Sequence, residues 1–106
     1  MRRRLQMMFA SRPPVRKGIR HAALVVAQED RVVGLRYERD EAPVPLIVSK
    51  GRGQAGDDMV AEARRLGIPV VEDGALVDRL IGHAIGKSIP QDAFTDVARL
   101  LVRFGI

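Results

Sequence analysis

Histidines and serines are the side chains here that could do chemistry, but their spacing assembles no recognisable active site. His21 and His83 are the only histidines; the chain has no cysteine and neither an HxxxH nor an HExxH spacing. Isolated histidines of this kind are more often surface or structural residues than catalysts or metal ligands. Ser11, Ser49 and Ser88 lie in no hydrolase-like context. We therefore predict a protein that is not an enzyme, with no catalytic residue, no metal site and no cofactor.

The stretch Gly51-Arg52-Gly53 lies between a predicted strand and a predicted helix, which is where a phosphate-binding loop would be expected. It matches neither GxGxxG nor GxxxxGK[ST]. Asp57 and Asp58 would also repel an anion at the start of that helix. A small phosphate-handling enzyme is therefore a weaker hypothesis than the two binding functions described below. It predicts that substituting Gly51 or Gly53 abolishes activity.

The basic residues are concentrated at the start of the chain. Residues 1–20 hold seven of the 18 lysines and arginines and no acid, whereas the rest carries 11 basic against 13 acidic residues. The net charge of +5 therefore comes from residues 1–20 and not from the folded domain, so no specific nucleic-acid binding is expected. Pro13 and Pro14 disfavour a helix in this segment. We therefore predict a basic, flexible tail over 1–20 and a folded domain over 21–106.

The pattern of apolar and turn residues predicts strands over 22–27, 31–37, 46–50 and 68–72, with a three-residue turn at 28–30. Apolar stripes and end signals predict helices over 54–66, 75–85 and 90–104. The third and fourth strands flank a helix with short joints, so they should run parallel. The sequence predicts a single α/β domain: a four-stranded mixed sheet, with an N-terminal hairpin and a parallel βαβ unit, packed by three or four helices.

An ordered series of short motifs runs through this domain. They are Leu35-Arg36-Tyr37-Glu38, Ala42-Pro43, Ile47 to Gly51, Gly67 to Asp73 and Gly86 to Pro90. Over Ala22 to Phe104, their order and spacing resemble the cytoplasmic domain of the FlhB/YscU family. Its members are the export-switch proteins of flagellar and virulence type III secretion systems.

The family's hallmark is an Asn-Pro-Thr-His motif in the turn between the first two strands, where members cut their own chain. The resemblance places this motif on Ala27-Gln28-Glu29-Asp30, and none of the four positions matches. In the family, the asparagine side-chain amide attacks its own carbonyl carbon, forms a cyclic imide and breaks the Asn–Pro bond. Ala27 has only a methyl group, and the chain contains no asparagine, so we predict no autocleavage.

The resemblance implies a stand-alone copy of the cytoplasmic domain, without the family's four membrane helices, that binds export-apparatus proteins or export substrates. Position alone indicates the partner-binding residues, which are Gln28, Glu29, Asp30, Arg31, Asp40, Glu41 and Ala42. The alternative is an adaptor whose basic tail binds nucleic acid or an anionic membrane surface. It predicts salt-sensitive binding that is lost when residues 1–20 are removed.

The sequence also predicts where the protein is found. No apolar run approaches the roughly 20 residues needed to span a bilayer, and no secretory signal pattern is present. The protein is therefore expected to be cytoplasmic. Weak contact of the tail with a membrane surface would make it peripheral at the inner membrane.

Overall fold

Four strands and three α-helices form the computed structural model, which describes residues 21–38, 40 and 42–104. The strands are β1 (His21–Gln28), β2 (Arg31–Glu38), β3 (Leu46–Arg52) and β4 (Val70–Glu72). The helices are α1 (Gln54–Arg65), α2 (Gly74–Leu80) and α3 (Phe94–Arg103), with a 3-10 turn at Gln91–Ala93 before α3. The predicted α/β class is confirmed. The predicted tail over 1–20 lies outside the described residues.

The sheet has the strand order β3-β2-β1-β4. β1 and β3 each pair antiparallel with β2, whereas β4 pairs parallel with β1. β3 and β4 therefore run in the same direction, as predicted. They lie at opposite edges with the β1–β2 hairpin between them, so the parallel partner of β4 is β1 and the connection through α1 crosses the hairpin.

Side chains on the two faces of the sheet form two separate cores, because successive residues of a strand point to opposite faces. Leu24 and Val26 of β1 face α2 and α3, whereas Val25 and Ala27 face α1. The larger core includes Leu35, Ile47, Leu76, Leu80, Val97 and Leu101, and the smaller one includes Val32, Met59 and Ala63. The structure thus has three layers, with α1 on one face of the sheet and α2 and α3 on the other.

The second helix is shorter than the sequence predicts. Asp73 caps its start, because its carboxylate accepts a 3.0 Å hydrogen bond from the backbone N–H of Leu76. At its end, Lys50 Nζ donates hydrogen bonds of 3.0 and 2.9 Å to the carbonyl oxygens of Ile81 and His83. The prediction of a helix to residue 85 is wrong, because the chain leaves the helix here and the next residues instead pair with β3.

The third helix is also predicted too long. The segment that begins at residue 90 first forms the 3-10 turn, and α3 starts only at Phe94. Of the apolar stripe predicted for this helix, which is Phe94, Val97, Ala98, Leu101 and Phe104, only Val97 and Leu101 are buried. Arg79 ties α2 to this helix: it pairs with Asp96, and this hydrogen bond raises the pKa of the guanidinium above its usual value.

One residue is inserted in β3 relative to its partner strand. Gly34 pairs with Ser49 and Leu35 pairs with Ile47, which leaves Val48 as the extra residue of a β-bulge.

Candidate functional site

The turn between β1 and β2, on which the resemblance places the family's cleavage motif, is a two-residue hairpin turn. Gln28 pairs with Arg31, so Gln28 belongs to β1 and the predicted three-residue turn is one residue too long. Glu29 and Asp30 form the turn itself. Glu29 has a φ of 55°, in the left-handed region that tight hairpins use and that residues with a side chain adopt at a cost.

Contacts from both helical layers hold this turn in place. The backbone N–H of Gly53 donates a 3.0 Å hydrogen bond to the carbonyl oxygen of Asp30. A Cβ on Gly56, in the first turns of α1, would lie 2.7 Å from the same oxygen. From the opposite layer, Arg31 Nη1 donates a 2.6 Å hydrogen bond to Asp78 Oδ1 on α2. Contacts with both layers therefore fix the backbone of the turn, while the residues Glu29 and Asp30 are exposed.

Ala27, on which the resemblance places the family's asparagine, carries no reactive group. Its methyl group belongs to the core under α1 and is 6% exposed. Its carbonyl oxygen accepts a 3.0 Å hydrogen bond from the backbone N–H of Asp73. The backbone at this position is therefore part of the regular pairing between β1 and β4, with no nucleophilic side chain beside its carbonyl carbon.

A groove of about 560 Å³ opens beside the turn, between α1 and the edge strand β4. It is lined by Ala27, Gln28, Glu29, Asp57, Val60, Ala61, Arg64, Val70 and Glu72. Three of these residues are acidic and one is basic, and among the described residues no ion pair involves any of the four. The groove thus has four apolar lining residues and an exposed acidic rim of Glu29, Asp57 and Glu72, and we refer to it as the β4 groove.

Sequence reasoning did not identify the residues that α1 and β4 contribute to this groove. Asp57, Ala61 and Arg64 follow an i, i+4, i+7 spacing, which places them on one face of a helix. That spacing predicts a shared face. It does not predict that the turn and β4 lie opposite, because their proximity depends on the crossover of α1.

The remaining predicted partner-binding residues lie far from the turn. Asp40 is exposed and Ala42 is half-buried, and the backbone N–H of Ala42 donates to the carbonyl oxygen of Glu38 at 3.0 Å. Glu41 lies outside the described residues. Because this loop follows the far end of β2, about 23 Å separates it from the turn at 3.3 Å per residue. The two sets therefore do not form one surface, and a binding role for either set stays a prediction.

The glycines of the Gly51–Gly53 stretch have structural roles. A Cβ on Gly51 would lie 2.7 Å from Met59 Sδ and 2.9 Å from the backbone nitrogen of Gly56. Gly53 has a φ of 57°, which glycine adopts most readily. Substitution of either glycine would therefore disturb the fold, whether or not a phosphate binds.

Two further findings concern metal binding and membrane spanning. In the described part of the chain, no three side chains of histidine, cysteine, aspartate or glutamate are grouped so that they could hold a metal ion. None of the helices within the same residues has the length and apolar character needed to cross a lipid bilayer.

Two proteins of known name are similar to this chain in sequence. The chain is 37% identical over 106 residues to the probable translocation protein y4yO of Sinorhizobium fredii. It is 31% identical over 83 residues to the hypersensitivity response secretion protein HrcU of Ralstonia nicotianae. The chain spans 30% of the length of the first and 23% of the second.

Two solved structures share the fold. A mutated EscU C-terminal domain is 29% identical, with a TM-score of 0.72 over 78% of this chain and 77% of its own. The cytoplasmic domain of FlhB from Shewanella putrefaciens, at 21% identity, has a TM-score of 0.77 over 96% of this chain and 72% of its own. The family model described as the FlhB, HrpN, YscU and SpaS family matches residues 1–103, so the chain belongs to that family.

Proposed function

We propose that this domain is a protein-binding module of type III protein secretion that does not cut its own chain at the hairpin turn. The relation to the export-switch domain of flagellar and type III secretion is given by the family match and by the similar proteins. The finer statements, that the module acts only by binding and that it stays uncleaved, rest on the residues of the turn.

The absence of a nucleophile at Ala27 is the observation that carries the proposal. Cleavage by the family's chemistry requires a side-chain amide nitrogen within reach of the carbonyl carbon of the same residue. Ala27 supplies a buried methyl group in that place, and its carbonyl oxygen is engaged by the N–H of Asp73. The next residue is Gln28, which pairs regularly with Arg31, where the family has proline. An uncut chain keeps β1 and β2 joined as one hairpin.

The partners we propose are export-apparatus proteins or export substrates, and the site of action is the cytoplasmic side of the inner membrane. Support comes from relatives named for translocation and secretion, and from a similar fold named as a cytoplasmic domain. The exposed turn residues Glu29 and Asp30 and the loop residue Asp40 are the first contact candidates.

A second candidate function is favoured by one observation, the seven basic residues and no acid within residues 1–20. That charge suits binding to nucleic acid or to an anionic membrane surface, with strong salt dependence. It predicts that the chain binds vesicles containing anionic lipid at low salt and releases them at high salt. A variant without residues 1–20 should then lose the binding completely.

The test of the leading proposal is a pull-down of the tagged full chain from cells that carry its secretion system, with intact mass measured on the same material. Recovery of export-apparatus proteins together with an uncut mass is expected. Recovery of nucleic acid alone would favour the second candidate. A cut between Ala27 and Gln28 would contradict the chemistry proposed for the turn.

A further inference from the structure

The two edges of the sheet differ in whether another segment covers them. At β3, the backbone N–H of Ile47 donates to the carbonyl oxygen of Lys87 at 2.9 Å, and Gly86 donates to the carbonyl oxygen of Ile47 at 2.7 Å. Leu46 and Ser88 form an antiparallel bridge beside them. The segment after α2 thus covers the start of β3, at Leu46 and Ile47. At β4, no described segment pairs with the outer side.

The open edge presents the backbone groups of two residues. Pro69 accepts a hydrogen bond from the N–H of Val25, and Asp73 donates one to Ala27, both at 3.0 Å. Backbone groups alternate in direction along a strand, so those of Val70 and Glu72 point away from β1. Unpaired N–H and C=O groups of an edge strand are a template for another extended chain.

The β4 groove lies directly beside this edge, since Val70 and Glu72 line both. Its rim carries Glu29 from the turn, Asp57 from α1 and Glu72 from β4, against the single cation of Arg64. A chain that paired with β4 would place alternate side chains over the groove. A lysine or arginine there would lie among three carboxylates, and an acidic residue would be repelled.

We propose that the edge of β4 and the β4 groove bind an extended, arginine- or lysine-bearing segment of another protein chain. This inference rests on the proposed function, since it names the class of partner for a protein-binding module. The bound segment pairs its backbone with Val70 and Glu72, and one basic side chain lies between Glu29, Asp57 and Glu72. Because β4 has three residues, the pairing is short and the charge selects the partner.

The test uses the full chain labelled with ¹⁵N and two synthetic peptides with blocked ends, one alternating valine with arginine and the other valine with glutamate. The arginine peptide should shift the amide resonances of Val70, Val71 and Glu72, and the glutamate peptide should not. Raising sodium chloride from 50 to 500 mM should weaken binding at least fivefold, because the rim charges are exposed.

Variants separate the charge from the backbone pairing. The double substitution Asp57→Asn with Glu72→Gln should weaken binding at least fivefold, whereas the matched control Asp58→Asn should leave it unchanged. Asp58 is the neighbouring acid on α1, accepts a hydrogen bond from Gln54 and does not line the groove. Val70→Pro removes one outward N–H without removing a bond to β1, and it should also weaken binding.

Four outcomes would overturn the inference. Equal binding of both peptides would show that charge does not select the partner. Amide shifts confined to other surfaces would show that the peptide does not bind at β4. Changes in the resonances of residues 2–20 on Glu72→Lys in the free protein would mean that the chain's own basic segment occupies the groove. If the groove variants still recover export-apparatus proteins from cells, this inference fails and the proposed function stands. If the wild-type chain recovers no export-apparatus proteins but binds the arginine peptide, the proposed function fails and this inference stands.

Discussion

Arg31 Nη1 donates a 2.6 Å hydrogen bond to Asp78 Oδ1, which joins the hairpin turn to α2 across 47 residues of sequence. The two side chains are 28% and 62% exposed, so water screens their attraction. A double-mutant cycle with Arg31→Met and Asp78→Asn should give a coupling energy of about 0.2–1 kcal/mol in urea unfolding. The coupling should fall further in 500 mM sodium chloride. A coupling of several kcal/mol would mean that the pair is shielded from solvent, which its exposure contradicts.

Gly56 should not tolerate a side chain. A Cβ there would lie 2.7 Å from the carbonyl oxygen of Asp30 and 3.0 Å from Val32 Cγ2, and the first of these atoms is backbone and cannot rotate away. Overpacking of this kind costs about 1–3 kcal/mol, and the better helix propensity of alanine offsets about 1 kcal/mol. Gly56→Ala should therefore lower the free energy of unfolding by up to about 2 kcal/mol in urea titration.

Gly82→Ala is the matched control for this substitution. A Cβ on Gly82 would meet no atom within 4 Å, and its φ is not positive. Because alanine restricts the unfolded chain more than glycine does, the control should be neutral or stabilise by up to about 1 kcal/mol. Equal destabilisation by the two variants would contradict the close approach of α1 to the turn.

The protein should be more stable with glycine than with glutamate at position 29. Its φ of 55° costs roughly 1–2 kcal/mol for a residue with a Cβ, while glycine loses about 0.5–1 kcal/mol through its freedom in the unfolded chain. Glu29→Gly should therefore raise the free energy of unfolding by a few tenths to about 1 kcal/mol. The same change at Asp40, an exposed turn residue without positive φ, should lower it. A loss of stability at Glu29 would argue against the left-handed turn.

The cleavage motif should be restorable. We consider the variant with the four substitutions Ala27→Asn, Gln28→Pro, Glu29→Thr and Asp30→His. It places the amide nucleophile where the methyl group of Ala27 now lies and leaves the rest of the hairpin unchanged. We expect intact mass to show a cut between positions 27 and 28 in this variant and none in the wild-type chain. The matched control omits only Ala27→Asn and should remain uncut. Cleavage of the wild-type chain under the same conditions would refute the role of Ala27.

The sequence predicted most of the elements because their signals are local. Met59 and Ala63 follow the helical period, and both are buried in α1. Gly67, the residue after the predicted helix over 54–66, adopts a φ of 76° as a helix-ending glycine does. The apolar run of β1 and the β-rich run of β2, with a polar turn between them, likewise predicted a hairpin, and the structure pairs the strands from His21 with Glu38 to Gln28 with Arg31.

The differences arise where tertiary contacts outweigh the local pattern. Ala84 and Ile85 continue the apolar period of α2, but the chain after Ile81 pairs with the edge of β3 and both residues are exposed. The β4 groove could not be predicted for the same reason. Glu29, Asp57 and Glu72 are far apart in sequence and meet only because α1 crosses the hairpin.

The β-bulge at Val48 keeps Lys50 in the same layer of the molecule as Ile47. Ile47 and Lys50 are three positions apart, so in an unbroken strand they would point to opposite faces of the sheet. The bulge restores them to the same face, which allows Ile47 to pack in the larger core while Lys50 reaches the carbonyl oxygens at the end of α2. Deleting Val48 would remove the extra residue and the bulge together, so Ile47 and Lys50 would lie two positions apart in a regular strand and Lys50 would still face the end of α2.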